Sequence, residues 1–493
     1  MSRCFLLLVD GLRPDVAESR LAAGDLSNLA AMVKPGGRTQ AITGFPSTTS
    51  VAYLPFLTGC APGRCDIPSI RWLDRAQYRG RWWRDRSAVR SYCGYQAPLL
   101  DRDINPSVQT IFQLVPDSVG IFTPVTRGLT PERDPSRRER QLWGAVAHYA
   151  QWHQPSDDAV SRHLLRAAEG DTRFVFAQFP AVDGYTHQSD PDSRLVHRAL
   201  KKVDATVGQL RRRLRERGEL EQSLILLVSD HGASVVHTHL DLAQWFRAQG
   251  VPTLSHPVIW ERRPRAAVMV AGNGSAMVYA RPDESRTDRW PIERLRKTET
   301  FGGQGDLIAA LLREPAVALL AAESGSGGIW VASSSGEARL CARGGEFVYE
   351  SISGDPLAMG SYWCGSPRHY LEETWDGPFP DAAFHLMDQF RTRRSGDLLV
   401  IAREGYDFRD RFEIPEHRAG HGSLIRAHMQ TPVWSSQPVP QIPLRTLDLF
   451  PSMLGWLGAT VPEGIDGELI WLPGTRVSPR RVSPRIASAS ARS

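Results

Sequence analysis

Nowhere among the 493 residues does an apolar run approach the roughly 20 residues that a helix needs to cross a bilayer. The first such run, residues 5–9, stops at Asp10, too short for the core of a secretory signal, and no small-residue cleavage site follows it. A chain without a membrane span, in the cytoplasm, is the expectation. Lysine is scarce: of 59 basic residues only Lys34, Lys201, Lys202 and Lys297 are not arginine. With 54 acidic residues opposing them the net charge is only +5, and clusters such as Arg211-Arg212-Arg213 and Arg262-Arg263 read as solvated faces. No nucleic-acid polymer is expected as a partner. Cysteine is equally thin. Cys4, Cys60, Cys65, Cys93, Cys341 and Cys364 show no CxxC pairing, which excludes a thiolate zinc module and a disulfide scaffold and leaves reduced thiols.

What is present is the composition of a globular protein, 41% hydrophobic and 23% charged, in a chain longer than one ordinary core. Residues 5–9, 174–179, 224–229 and 398–402 are short, nearly continuous apolar runs, as strands buried on both faces require. Between the second and third, Asp190-Pro191 offers a helix start. Val196, Ala199, Leu200, Val203, Val207, Leu210 and Leu214 form an apolar stripe at helical spacing, and Gly218 ends it. The fold class is therefore α/β, a mostly parallel central sheet flanked by helices. From about 252 to 396, turns rich in Gly and Ser separate short runs at 328–333, 338–342 and 346–351, read as hairpins. The expected organisation is a catalytic core over 1–251 with an irregular insertion at 71–140, and an inserted α+β cap subdomain over 252–396. The core then returns over 397–475, with a helix at 447–457. A tail at 476–493, where Arg476-Val477-Ser478-Pro479-Arg480 nearly repeats as Arg481-Val482-Ser483-Pro484-Arg485, is expected to be disordered.

The apolar runs end on groups that bind metals. Asp10 follows the first, Asp183 and His187 the second, and Asp230-His231 the third, while His421 lies in Gly420-His421-Gly422. In open α/β sheets the crevice at the carboxyl ends of strands is where ligands bind. Phe45-Pro46-Ser47-Thr48-Thr49-Ser50 adds a turn dense in hydroxyls. Three carboxylates, three imidazoles and a hydroxyl are the parts of a two-metal phosphoryl-transfer site. Two divalent ions about 4 Å apart activate a nucleophile and stabilise the leaving oxygen. A mixed Asp/His shell makes zinc the first expectation and manganese the second. A hydroxyl becomes a competent nucleophile only beside such an ion, and the helix expected to follow it presents backbone N–H groups to phosphate. His237, His239, His417 and His428 read as loop histidines, and Trp82, Trp83, Tyr92 and Tyr95 as packing beneath a long loop.

On these residues the chain resembles the alkaline phosphatase superfamily, in its type I phosphodiesterase/nucleotide pyrophosphatase branch. Val9-Asp10-Gly11-Leu12-Arg13-Pro14-Asp15 is similar to that branch's opening metal motif. Phe45-Pro46-Ser47-Thr48-Thr49, with Thr58-Gly59-Cys60-Ala61-Pro62 downstream, is similar to its nucleophile segment, and the gap between the two selects Thr49. Asp183-Gly184-Tyr185-Thr186-His187, Ser229-Asp230-His231-Gly232 and Gly420-His421-Gly422 resemble its remaining ligand motifs, and Arg445-Thr446-Leu447-Asp448-Leu449-Phe450-Pro451 its closing helix. The resemblance covers about 1–240 and 395–470. It implies one ion held by Asp183, His187 and His421, and another held by Asp10, Asp230, His231 and the Thr49 oxygen. It also implies attack by Thr49 on a small phosphate ester, through a phosphothreonine later hydrolysed by water.

Two departures bear on substrate. Where the family holds a phosphoryl oxygen with Asn, this chain has Ile70, which makes the adjacent Arg71 the candidate substrate-binding residue and Asn105 its alternative. The family's Pro-Asn-His after the nucleophile is Val51-Ala52-Tyr53 here. A phosphomonoesterase or phosphomutase on the same fold, and an inactive binding module, stand as alternatives. Sulfatase chemistry is set aside because Thr49-Ser50-Val51-Ala52-Tyr53 lacks the Cys/Ser-x-Pro-x-Arg run it needs.

Overall fold

Register decides where the site forms. Strand Arg3–Val9 lies between Phe174–Phe179 and Ser223–Val228, parallel to both, with Val9 opposite Phe179 and Leu8 opposite Val228. The three chains therefore leave the sheet side by side, at Asp10, Pro180 and Ser229. The computed structural model describes residues 2–474 apart from 81–84, 86, 94–95, 257–260, 285, 410–412 and 414. Trp82, Trp83, Tyr95 and the tail at 476–493 thus lie outside the described residues. Across the first sheet the order is Leu444–Arg445, Arg38–Ile42, Gln430–Ser435, Ser223–Val228, Arg3–Val9, Phe174–Phe179 and Ser118–Ile121. Only Gln430–Ser435 runs against its neighbours. Every residue of the central strands is buried, which explains their unbroken apolar runs.

Helix Arg194–Glu216 covers one face with Val196, Ala199, Leu200, Val203, Val207, Leu210 and Leu214, each buried Val or Leu contributing about 1.5–3 kcal/mol. The cap differs from expectation: Ser193, not Asp190, accepts the Val196 N–H, and the helix starts after it. Asp190 instead closes a turn by accepting from Asp192 N at 2.7 Å. Among the described residues no helix is long and apolar enough to cross a membrane.

A second sheet holds Tyr362–Gly365, Glu346–Gly354, Gly336–Arg343, Ile329–Ser333, Val317–Glu323, Leu398–Ala402, Ser275–Ala280, Ala266–Ala271 and Thr253–Ser255, in that order. Its outer hairpins fall where the Gly/Ser turns indicate. The 398–402 run does not join the first sheet, as its apolar pattern implied. It lies mid-way in the second, antiparallel to both neighbours. Burial on both faces is what the run encodes, and either sheet supplies it. Residues 71–140 also split: Ser118–Ile121 completes the edge of the first sheet, while Arg75 reaches Asp397 beneath the second at 2.9 Å. Tyr92 is buried and bonds Trp72 and Asp103. Turn Gly272-Asn273, joining Ala266–Ala271 to Ser275–Ala280, points back at the first sheet and touches the site.

Candidate active site

Asp10 follows its strand directly, and Gly11 turns the chain at φ +69°. A Cβ on Gly11 would sit 2.8 Å from Asp183 Oδ1, so the glycine is what lets the two acidic segments approach. Gly11 N donates to Asp230 Oδ1 at 3.3 Å and Leu12 N to Ser229 Oγ at 2.9 Å, which ties the first loop to the third. Asp183 and His187 stand one turn apart on helix Ala181–Gln188, and their side chains meet at 3.2 Å.

Thr49 lies in the turn before helix Leu54–Thr58. The helix begins five residues after Thr49, and between them Ala52 N closes a turn on Thr48 O. The neighbouring hydroxyls are engaged with backbone: Ser47 donates to Ser423 O and Thr48 to Pro46 O. Thr49 Oγ1 instead lies 3.3 Å from Asp10 Oδ1 and 3.3 Å from His231 Nε2.

The three imidazoles share one arrangement. Nδ1 of His187 donates to Ala419 O at 2.7 Å, that of His231 to Gly232 O at 3.1 Å, and that of His421 to Ser47 O at 3.0 Å. A carbonyl only accepts, so each Nδ1 carries a proton, and Nε2 is the atom each ring leaves for the cluster. Donor atoms of Asp10, Asp230 and His231 lie within 4.8 Å of one another, as do those of Asp183, His231 and His421. His231 thus belongs to both groups, while His187 joins through Asp183.

Charge in the cluster is unbalanced. Burial first, then the neighbouring carboxylates Asp230 and Asp183, hold Asp10 well above the usual carboxylate range. Burial and Asp183 push Asp230 up to about 8. Burial opposes ionisation of Asp183 as well, but His187 outweighs it and draws the carboxyl down, and His187 rises in turn to about 9. Burial and His231 drive His421 well below its ordinary value. Asp183 Oδ1 and Asp230 Oδ2 are buried with no hydrogen-bond partner among the described residues. Buried carboxylate oxygens left bare beside imidazole Nε2 atoms are the donor set of a dication. The residues fit two such ions.

Four further residues shape the site without a strong sequence signal. Gln178 donates to Asp10 Oδ2 at 2.6 Å and Tyr53 to the same oxygen at 3.2 Å. Gln178 was detectable as the one polar residue in the 174–179 run; Tyr53 was not. His417 stacks on His187, and Asn273 bridges to His421. By contrast, His428 is held by Ser234 and Ser423, and His239 by Asp407. Ile70 packs against the main core. Asn105 closes a turn on Ser107. Arg71 begins a short strand beside Ala266–Ala271. Arg75, farther along, covers Tyr279, which pairs with Ala267, so Arg71 stands at the end nearer Gly272. Its buried Nε has no hydrogen-bond partner among the described residues, and its charge acts on Glu413 beside His417.

Residues 4–313 match the family model for type I phosphodiesterase/nucleotide pyrophosphatase, a span that includes six of the seven cluster residues and ends before His421. No curated protein matches the chain. Phosphonoacetate hydrolase from Sinorhizobium meliloti 1021, solved with phosphonoacetate, shares the fold at a TM-score of 0.57 and 13% identity, over 92% of this chain and 96% of its own. An inactive form of murine ectonucleotide pyrophosphatase/phosphodiesterase 5 in complex with AMP does so at 0.55 and 12%, over 95% and 98%. The human counterpart gives 0.54 and 13%, over 95% and 97%. Given a family match spanning well over half its length, the chain belongs to the type I phosphodiesterase/nucleotide pyrophosphatase family and is a phosphoester hydrolase of alkaline phosphatase-like fold.

Proposed function

We propose that the chain hydrolyses small phosphate esters, diesters and nucleotide pyrophosphates first, with two divalent ions and Thr49 as nucleophile. The observation that carries this reading is the position of Thr49 Oγ1, the one hydroxyl of its turn set against both Asp10 and His231. Asp10, Asp230 and His231 would hold one ion, and Asp183, His187 and His421 the other. Bound there, zinc or manganese would lower the pKa of the Thr49 hydroxyl and offset charge on the phosphoryl and leaving oxygens.

Thr49 Oγ1 forms a bond to phosphorus as the bond to the leaving oxygen breaks opposite it. Its proton leaves toward the carboxylate side of the cluster, and the leaving oxygen takes one up from solvent. Water then cleaves phosphothreonine, releasing phosphate or a phosphomonoester and restoring the hydroxyl. Gln178 and Tyr53 keep Asp10 oriented by donating to its outer oxygen, while the Nδ1 bonds fix the imidazoles. The AMP and phosphonoacetate bound by the two neighbours support a small phosphorylated substrate for this chain.

A second reading, a phosphomonoesterase, is favoured by Arg71. A monoester carries two charges on three terminal oxygens, so the Arg71 guanidinium gains more from it than from a singly charged diester. One assay separates the readings: aryl phosphate monoester, diester, sulfate and a nucleotide substrate side by side, with zinc or manganese. Diester and nucleotide turnover that is lost on chelation is expected, and a faster monoester selects the second reading. No turnover of any phosphorus substrate overturns both and leaves an inactive binding module.

A further inference from the structure

Beyond the seven residues of the cluster, His417 lies flat against one of its members. Its ring centroid is 4.0 Å from that of His187, with 23° between the planes. The His417 side chain is 22% exposed, and its Nδ1 lies 3.5 Å from Glu413 Oε1. The other Glu413 oxygen accepts from Asn273 Nδ2 at 2.7 Å. Asn273 sits at φ +65° in the hairpin turn that brackets His421. There His421 N donates to Gly272 O at 3.2 Å and Gly274 N to His421 O at 2.7 Å. Side-chain contacts therefore run from the ring of His187, through His417, Glu413 and Asn273, to the backbone that carries His421.

His187 has use for such a support. Its Nδ1 bond to Ala419 O fixes the tautomer but leaves the ring able to swing about that bond. Arg418 N donates to His187 O at 2.8 Å, so the 417–419 stretch grips His187 by its backbone. A ring packed flat on one side removes the remaining freedom. Ligand orientation by outer partners is worth about 10–100-fold in metal affinity.

We propose that His417 is a positioning residue which, backed by Glu413 and Asn273, holds the His187 ring in plane for the ion on the Asp183–His187–His421 side. The inference rests on the two-ion reading above. Its test is zinc titration of the full chain against a competing chromophoric chelator, with melting of the chelated variants as the control for folding. Wild type takes up two ions. In His417→Ala one ion weakens by about 10–100-fold, while the other, on the Asp10–Asp230–His231 side, keeps its affinity. His417→Phe keeps a flat ring but cannot ligate, and recovers most of the loss. Glu413→Gln keeps a partner for Asn273 and loses less than His417→Ala. Unchanged affinity for both ions in His417→Ala, or equal weakening of both, overturns the proposal. A His417→Phe variant as weak as His417→Ala also overturns it, making His417 a ligand. A wild type that binds no zinc overturns the two-ion reading itself, a different result from two tight ions in every variant.

Discussion

The imidazoles of His231 and His421 stack with centroids 3.7 Å apart and planes 13° from parallel. They arrive from distant parts of the chain, one after strand Ser223–Val228 and the other after the short Ala419–Gly420 strand paired with Ser234–His239. Two imidazolium ions would not be held face to face in a buried site, so at least one ring of the stack is neutral. Burial first, then the neighbouring His231, holds His421 well below its ordinary value, so His421 is that ring. Neutral imidazole is the ligating form, and the stack keeps a donor atom of each ring within 4.8 Å of one in Asp183.

Because His231 shares donor range with both groups, its loss is expected to differ from that of any other ligand. His231→Ala should deplete both ions, whereas His187→Ala should leave the Asp10–Asp230–His231 ion in place. Elemental analysis of protein purified without chelator measures this directly. Two ions retained in His231→Ala would remove it from the ligand set.

Thr49→Ala should abolish turnover, by a factor on the order of 10³ or more, while metal content stays at the wild-type level. Thr49→Ser keeps a hydroxyl and should keep part of the rate. Acid quenching during turnover, followed by peptide mass spectrometry, should find the phosphoryl group on Thr49. A phosphoryl group on Thr48 or Ser50 would move the nucleophile within the turn.

The candidate ligands that the fold brings together were legible because local chemistry records them. Asp183 and His187 are a helical i, i+4 pair, and Asp230-His231 closes an apolar strand. Thr49 stood out from its neighbours only through the resemblance, whose spacing to Thr58-Gly59 it matches. Supporting residues were less visible in proportion to how far they travel. Gln178 breaks an apolar run and leaves a trace, while Tyr53 and His417 reach the site only through loops whose course no periodicity encodes. The same limit explains the 398–402 strand, since an apolar run states that both faces are covered but not which sheet covers them. Helix Arg194–Glu216 was visible from its stripe, yet its start was not, because Asp190 and Ser193 both have capping chemistry.

Asp397 should matter to stability rather than catalysis. It is wholly buried and pairs with Arg75 at 2.9 Å and Arg286 at 2.7 Å, while accepting from Ala280 N and Trp290 N. Burial alone would raise its pKa, but the two guanidinium groups outweigh it and hold the carboxyl below its ordinary value. A depressed carboxylate adds stability that is full above the unfolded value, about pH 4, and lost as pH falls through the folded one. Asp397→Ala leaves two guanidinium groups without their partner and should cost about 3–5 kcal/mol at pH 7. Asp397→Asn should be less stable than wild type at pH 7, with the difference shrinking below pH 4 as acid neutralises the wild-type carboxylate. Denaturant titrations at both pH values test this, and a difference independent of pH would contradict it.

Gly272 is a point where the second sheet presses on the His421 ring. Its φ is +52°, and a Cβ there would lie 2.7 Å from both His421 Nδ1 and Thr48 Cγ2. That methyl would wedge between the imidazole and the segment whose Ser47 carbonyl holds Nδ1 at 3.0 Å. Gly272→Ala should therefore swing His421 Nε2 off its aim and weaken the ion on the Asp183–His187–His421 side by about 10–100-fold, as loss of an outer partner does. Backbone strain alone predicts something else, namely a stability cost of about 1–3 kcal/mol with the metal site intact. Gly305→Ala separates the two, since Gly305 has φ +69° with no atom within 4 Å of an added Cβ. Zinc affinity and melting temperature measured on both variants give the answer. Weakened zinc binding in Gly272→Ala with none in Gly305→Ala assigns the effect to the wedge, and equal behaviour of the two assigns it to the backbone.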